Sequence, residues 1–203
     1  NLSVNVKSAN STLDEVDTSW SIEKITSIPL FFANIWATQK TACSMLLRED
    51  SYQILIDQFK WHIPQRYNIA WDICDKWIEE VDRTALVYET GDGIPKRYTF
   101  KDIHRLSNQL ANVFNAFGLD RLDRIAVLLP QRPEVAVTHL AAYRSGAIAV
   151  PLFTLFGQDA LRYRLRDSGA KFVVTDSAGI KSIAAIRDEL PDLQVVLNVD
   201  GVG

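Results

Sequence analysis

Cysteine is scarce: the 203 residues hold two, Cys43 and Cys74, with no CxxC pair and no His/Cys cluster. That pattern argues against a disulfide framework and against a zinc site, and it fits a reducing compartment. Histidine is nearly as sparse, and His62, His104 and His139 are far apart in sequence. Excess charge of one sign is missing too. The formal net charge is -3, which calls for no polyanionic partner such as nucleic acid. No hydrophobic run is long enough to span a bilayer. The longest near the start, residues 28–37, follows an acidic segment at 14–17 and so lacks the basic flank of a secretory signal. The chain does not begin with Met and stops just after an apolar run, so both ends read as cut and the chain as part of something longer.

What is present is apolar and periodic. Hydrophobic residues make up 47%, enough for a sizeable core. Residues 1–48 show no sustained period and read as a poorly ordered or locally helical leader. Residues 49–100 read as a collar. It has a short helix in "SYQILIDQFKW", a second in "YNIAWDICDKWIEE" with Ile69, Ile73 and Trp77 on one face joined by Ala70 and Cys74, and a β-hairpin of Ala85–Glu89 and Arg97–Phe100. A long helix follows, with Ile103, Leu106, Leu110, Val113, Phe114 and Phe117 on its apolar face, Thr99 at its start and Gly118 at its end. From residue 101 to 203 strand-like and helix-like runs alternate. Strands are expected at 124–129, 148–153, 171–175 and 194–199, and helices at 134–145, 159–167 and 180–190. Short links between them predict an α/β fold with a mostly parallel sheet flanked by helices, incomplete at its far end. A sheet cut after a fourth parallel strand would leave an apolar edge through which the chain self-associates.

The stretch "TGDGIPK" at 90–96 looks like a phosphate-cradling loop. Such a loop gathers backbone N–H groups at a helix N-terminus, with a strand before and a helix after. Here Pro95 removes one N–H and residues 97–100 return to strand, so the glycines read as a hairpin turn.

Several ordered blocks carry a resemblance. "RYTFKDIHRLSNQLANVF", "DRIAVLLPQRPEVAVTHLAAYRSGAIAVPLF" and "LRDSGAKFVVTD" resemble the acyl-CoA synthetase branch of the AMP-forming adenylating enzymes. "FKWHIPQRYNIAWDICDKW" is similar to the entry region of the short- and medium-chain members. The resemblance covers residues 51–200 and implies the N-terminal part of a two-step ligase. A short- or medium-chain carboxylic acid would attack the α-phosphorus of ATP, with Mg2+, and coenzyme A would then displace AMP. The family's loop of the form T-S-G-T-T-G-x-P-K-G, its acyl pocket, its ribose-binding acid and its C-terminal lysine lie beyond the matched region. No catalytic residue and no metal ligand is therefore assigned here, the main ATP site is expected elsewhere, and the 203 residues alone are expected to be inactive. No membrane-spanning segment is expected, and the resemblance implies a cytoplasmic or organelle-matrix enzyme of fatty acid metabolism. The alternatives are another adenylate-forming enzyme, such as an aryl-acid ligase or an adenylation domain, and a truncated, non-catalytic binding module.

The resemblance also implies coenzyme A contacts. In acetyl-CoA synthetase-like members the turn after the "AVPLF" strand approaches the nucleotide, and a basic residue near the start of the helix after "VVTD" reaches its phosphates. These positions fall on Phe153, Thr154 and Lys181. The acetate-specific pattern has glycines where this chain has Thr154 and Leu155. The competing readings are core packing for Phe153 and a solvated lysine for Lys181. Arg162, Arg164 and Arg166 read as a solvated, salt-bridged face rather than a phosphate patch, and Asp167 is a local partner for one of them. His104 and His139 read as structural histidines, and Trp61, Trp71 and Trp77 as packing residues.

Overall fold

Side-chain alternation along the central strand divides the core into two layers. Ile125, Val127 and Leu129 face one layer, and Ala126 and Leu128 the other. A computed structural model describes residues 5–8 (backbone only), 51–61, 63–91 and 93–201. The strands among these residues are β1 (Asn5–Ser8), β2 (Thr84–Tyr88), β3 (Lys96–Thr99), β4 (Arg124–Leu128), β5 (Ile148–Pro151), β6 (Phe172–Thr175) and β7 (Val195–Asn198). The helices among the described residues are α1 (Tyr52–Gln58), α2 (Ile69–Ile73), α3 (Phe100–Ala116), α4 (Pro133–Arg144), α5 (Gln158–Ser168) and α6 (Ser177–Ala184). Two compact units result, residues 1–26 with 68–203, and residues 27–67.

The main sheet runs β1-β7-β6-β4-β5. β4, β5, β6 and β7 are parallel neighbours, with Ile125 opposite both Ala149 and Phe172, and Val173 opposite Val196. Every residue of β6 is buried, as expected of a parallel strand covered on both faces. One layer packs α3 and α4 on the sheet through Leu110, Phe114, Val137 and Ala141 against Ile125, Phe172 and Leu197. The other packs α5 and α6 through Leu161, Leu165 and Ile183 against Ala126, Leu128 and Val173. Because the crossover from β4 to β5 and the return to β6 are both right-handed, their helices lie on opposite faces.

At the amino ends of these strands Lys171 Nζ pairs with Asp123 at 2.8 Å. Arg124 donates to the carbonyls of Ser168 and Gly169, where α5 ends. α3 begins in a reciprocal cap, with the Asp102 N–H donating to Thr99 Oγ1 and the Thr99 N–H to Asp102 Oδ2. The hairpin of β2 and β3 is antiparallel. Gly93, at φ 77°, donates its N–H to the Thr90 carbonyl at 3.0 Å. The 90–96 stretch is therefore a turn between strands, although Asp92 lies outside the described residues.

Several expectations change. The second collar helix stops at Ile73 and continues as a 3-10 turn, Asp75–Trp77. Ala70 and Cys74 are buried as expected, but Ile69 and Ile73, expected on the same face, are exposed. Phe117 caps α3 from outside the apolar face and is also exposed. The last helix begins three residues early, because Asp176 Oδ1 accepts from the Gly179 N–H, and a 3-10 turn at Arg187–Glu189 replaces its second half. Arg187 holds that turn by donating to the Leu190 and Leu193 carbonyls. Finally, the β7 edge expected to be bare is paired: β1 runs antiparallel to it, from Asn5 opposite Asn198 to Ser8 opposite Val195. Four residues are too few to show a period, so this strand left no trace in the sequence pattern. The rest of the leader, the 28–37 run, Cys43 and His62 lie outside the described residues. In the smaller unit, α1 is followed by an edge-to-face contact of Phe59 with Trp61, which is exposed rather than packed.

Candidate functional site

The chain leaves β4, crosses outward to β5, then returns past β4 to β6 and β7. The winding reverses between β4 and β6. In open α/β sheets the crevice at the carboxyl ends of the strands beside such a reversal is where ligands bind. Thr175, fully buried at the end of β6, ties this crevice shut at its base by donating from Oγ1 to the Leu128 carbonyl at 2.8 Å. Gly179, in the first turn of α6, lies so close that a Cβ there would fall 1.9 Å from Thr175 Oγ1.

Above that base sits a polar cluster. Arg132, which follows β4, donates to Glu134 at 2.7 Å and to Asp200 at 2.7 Å. The other oxygen of Asp200 accepts from the Ser177 N–H at 2.8 Å. Asn198 Nδ2 donates to Ser177 Oγ and to the Gly201 carbonyl. The Ser177 N–H and the Arg132 guanidinium hold the Asp200 carboxyl below the usual carboxylate range. Glu134, with Asp200, raises the Arg132 pKa further against its burial. Two carboxylates neutralise this one guanidinium, so Arg132 positions the ends of β4, β6 and β7 rather than offering a vacant anion receptor. Sequence reading missed Arg132 and Asp200. The signal was their place, just past the ends of two expected parallel strands.

Of the residues expected to touch coenzyme A, Phe153 and Thr154 lie on this rim, but Lys181, expected near the start of its helix, sits in the last turn of α6, because that helix begins already at Ser177. Phe153 and Thr154 follow β5, and Lys181 lies in α6 after β6, so β4 stands between the two strands that lead to them. With neighbouring strands spaced by ~4.8 Å, two steps put the strand axes about 10 Å apart. Phe153 does not pack into the core, as Leu152 takes the buried position. The residue is 58% exposed, and its ring meets Phe156 edge-to-face at 5.9 Å. Arg164 in turn stacks 4.1 Å over Phe156. Thr154 and Lys181 are exposed.

The other candidates are structural. Arg162 pairs with Asp159 and Glu189 at 2.6 and 2.8 Å, so neither of its partners is Asp167. His139 Nδ1 lies 2.8 Å from the Val135 carbonyl. His104 Nδ1 lies 2.8 Å from Asp75, and its Nε2 lies 2.9 Å from Asn108 Nδ2. Asp75 also takes a two-pronged bond from Arg144 at 2.6 and 2.8 Å, which joins the 3-10 turn to α3 and α4. Burial pushes the Asp75 carboxyl up, but Arg144 and His104 outweigh it and bring the pKa below the ordinary value. Burial, with the Asp75 charge, pushes the neighbouring Cys74 thiol up to about 11, so it is no nucleophile at neutral pH. Trp77 packs on Phe100 and lies under Arg83, 3.9 Å from ring to guanidinium.

Comparison with known proteins agrees with this topology. Residues 75–203 match the family described as AMP-binding enzyme. The mitochondrial acyl-coenzyme A synthetase ACSM3 of Mus musculus is 30% identical over 156 residues, which are 73% of this chain and 27% of that protein. The acetyl-coenzyme A synthetase of Desulfatibacillum aliphaticivorans is 30% identical over 63% of this chain and 20% of its own length. Among solved structures, an acyl-CoA synthetase from Brucella canis superposes with a TM-score of 0.65 at 32% identity, covering 73% of this chain and 28% of that one. The anthranilate CoA ligase AuaEII gives 0.60 at 27% identity, over 66% and 25%. The chain thus spans about a quarter of the length of these relatives.

Proposed function

The chain belongs to the AMP-binding enzyme family, and from that premise we propose that it forms the first α/β part of an acyl-CoA synthetase acting on a short- or medium-chain carboxylic acid. The observation that carries the proposal is the family match over residues 75–203, together with similarity over roughly two thirds to three quarters of the chain to relatives named as acyl- and acetyl-coenzyme A synthetases. In this reading the acid's carboxylate attacks the α-phosphorus of ATP, pyrophosphate leaves, and the thiol of coenzyme A displaces AMP to give the thioester. Activation as the adenylate turns a poor electrophile into a reactive one, and the phosphate charge must be neutralised for the first step. Magnesium would accompany the ATP. Among the described residues no group of three or more His, Cys, Asp or Glu side chains could hold a metal ion, so no step is assigned to the ion here.

The part this chain plays is an edge of the coenzyme A site. Lys181 supplies a point charge for a phosphate, and the exposed Phe153 ring and the Thr154 backbone flank the nucleotide. Among the described residues no helix is long and apolar enough to cross a membrane. A cytoplasmic or matrix location belongs to the same proposal.

The test is an assay of the product of the complete reading frame. AMP release should depend on both coenzyme A and an acid from a panel of two to ten carbons, with benzoate and anthranilate included. Adenylate formation without any thioester would sink the ligase reading, and turnover of the aromatic acids alone would favour the aryl-acid alternative. In the same enzyme Lys181→Ala should raise the coenzyme A KM about tenfold, the loss of one charge-assisted contact. An unchanged KM removes Lys181 from the site.

A further inference from the structure

The N–H groups of a β-strand point alternately to its two sides. In β7 the Val195 N–H donates to the Lys171 carbonyl, and the Val199 N–H to the Thr175 carbonyl, both toward β6. The N–H groups of Val196 and Asn198 therefore point to the outer edge. Val196 stands opposite Lys7 and Asn198 opposite Asn5, so these are the pairs that exchange backbone hydrogen bonds. Val6 opposite Leu197 and Ser8 opposite Val195 are the intervening pairs, in which β1 directs its N–H groups outward.

Without β1, the sheet would present Val195, Val196 and Leu197 along an edge with two unpaired N–H groups and their flanking carbonyls. Such an edge is a template for another strand. β1 meets it antiparallel on an otherwise parallel sheet. A second β7, brought up by a two-fold axis, would also be antiparallel, because two-fold symmetry reverses the strand direction. We propose that β1 is a guard strand: it occupies in cis a pairing edge on β7 through which two copies of this chain would otherwise join. The guard is short, and a ladder of four residues has few bonds to open. Nothing in this depends on the ligase reading.

The register supplies the test. Lys7→Pro removes an N–H that bonds to β7. Val6→Pro removes one that points away, the position where an edge strand tolerates proline. Light scattering on size-exclusion fractions should give the same single mass for the 203-residue chain and for Val6→Pro. Lys7→Pro, and the chain lacking residues 1–10, should double in mass in a concentration-dependent way. A synthetic peptide of residues 1–10 should return the shortened chain to the single mass. Hydrogen exchange should show the Val196 and Asn198 amides protected in the intact chain. The proposal is overturned if the shortened chain and Lys7→Pro keep the intact mass. It is equally overturned if both proline variants behave alike, if the intact chain already pairs while those two amides stay protected, or if the products are large aggregates that the peptide does not dissolve.

Discussion

A single hydrogen atom's worth of space decides the packing of α6 on β6. Gly179 has no side chain, and a methyl there would overlap Thr175 Oγ1, which is itself bonded to the Leu128 carbonyl. Gly179→Ala should therefore cost about 1–3 kcal/mol, the usual toll of overpacking, read as a lower urea midpoint. Adding Thr175→Ala should cost less than the sum of the two single changes, because they share the clash. Additive losses would place the strain elsewhere. At the same scale Asp75 shows how a partner sets a residue's role. Three side chains from two helices converge on or beside one carboxylate, with Arg144 and His104 bonded to it and Ser107 bonded to Arg144.

Elements are set by their ends as much as by their faces. α3 is the longest helix described, at 17 residues, and its start is closed by the reciprocal cap of Thr99 and Asp102. Thr99→Ala should lower stability by about 1 kcal/mol, while Thr99→Ser, which keeps the acceptor, should lose only a few tenths. Thermal or urea unfolding of the pair checks this, and equal losses would mean that the methyl rather than the cap matters. The strand ends also differ in purpose. At the amino ends Lys171–Asp123 and Arg124 lock elements together. At the carboxyl ends Arg132 and Asp200 brace a rim beside which Phe153 and Thr154 face water.

Among the described residues four carboxyls, Asp75, Asp102, Asp123 and Asp200, are held below their ordinary pKa. A group whose folded pKa is depressed adds stability that is complete above its unfolded value, about 3.9 for Asp. That stability is lost as the pH falls through the lower folded value. The urea midpoint should stay level from about pH 7 to 5 and fall below about pH 4. Asp75→Asn should lower the neutral-pH plateau and make the acid decline shallower, since that carboxylate is no longer there to protonate. A decline of unchanged steepness would assign the acid sensitivity to the other three.

The alternation of apolar runs with capped helices was enough, without coordinates, to indicate a parallel sheet covered on both faces. Buried strands read as continuous Val, Ile and Leu, and helices announce themselves at Thr99, Gly118 and Gly146. Local turn chemistry likewise identified the 90–96 stretch as a hairpin, because positive φ at Gly93 and the loss of an N–H at Pro95 are properties of residues, not of their surroundings. The shortening of α2 and α6, the exposure of Ile69, Ile73 and Phe153, and the pairing of β1 with β7 were decided only in three dimensions. Some depend on a partner distant in sequence, such as Arg144 for Asp75, 69 residues away, and Asn198 for Asn5. A one-dimensional pattern records which residues avoid water. Which distant group each polar residue or strand edge will meet is settled only when the chain closes on itself, since the energy of a hydrogen bond or ion pair exists only at contact distance.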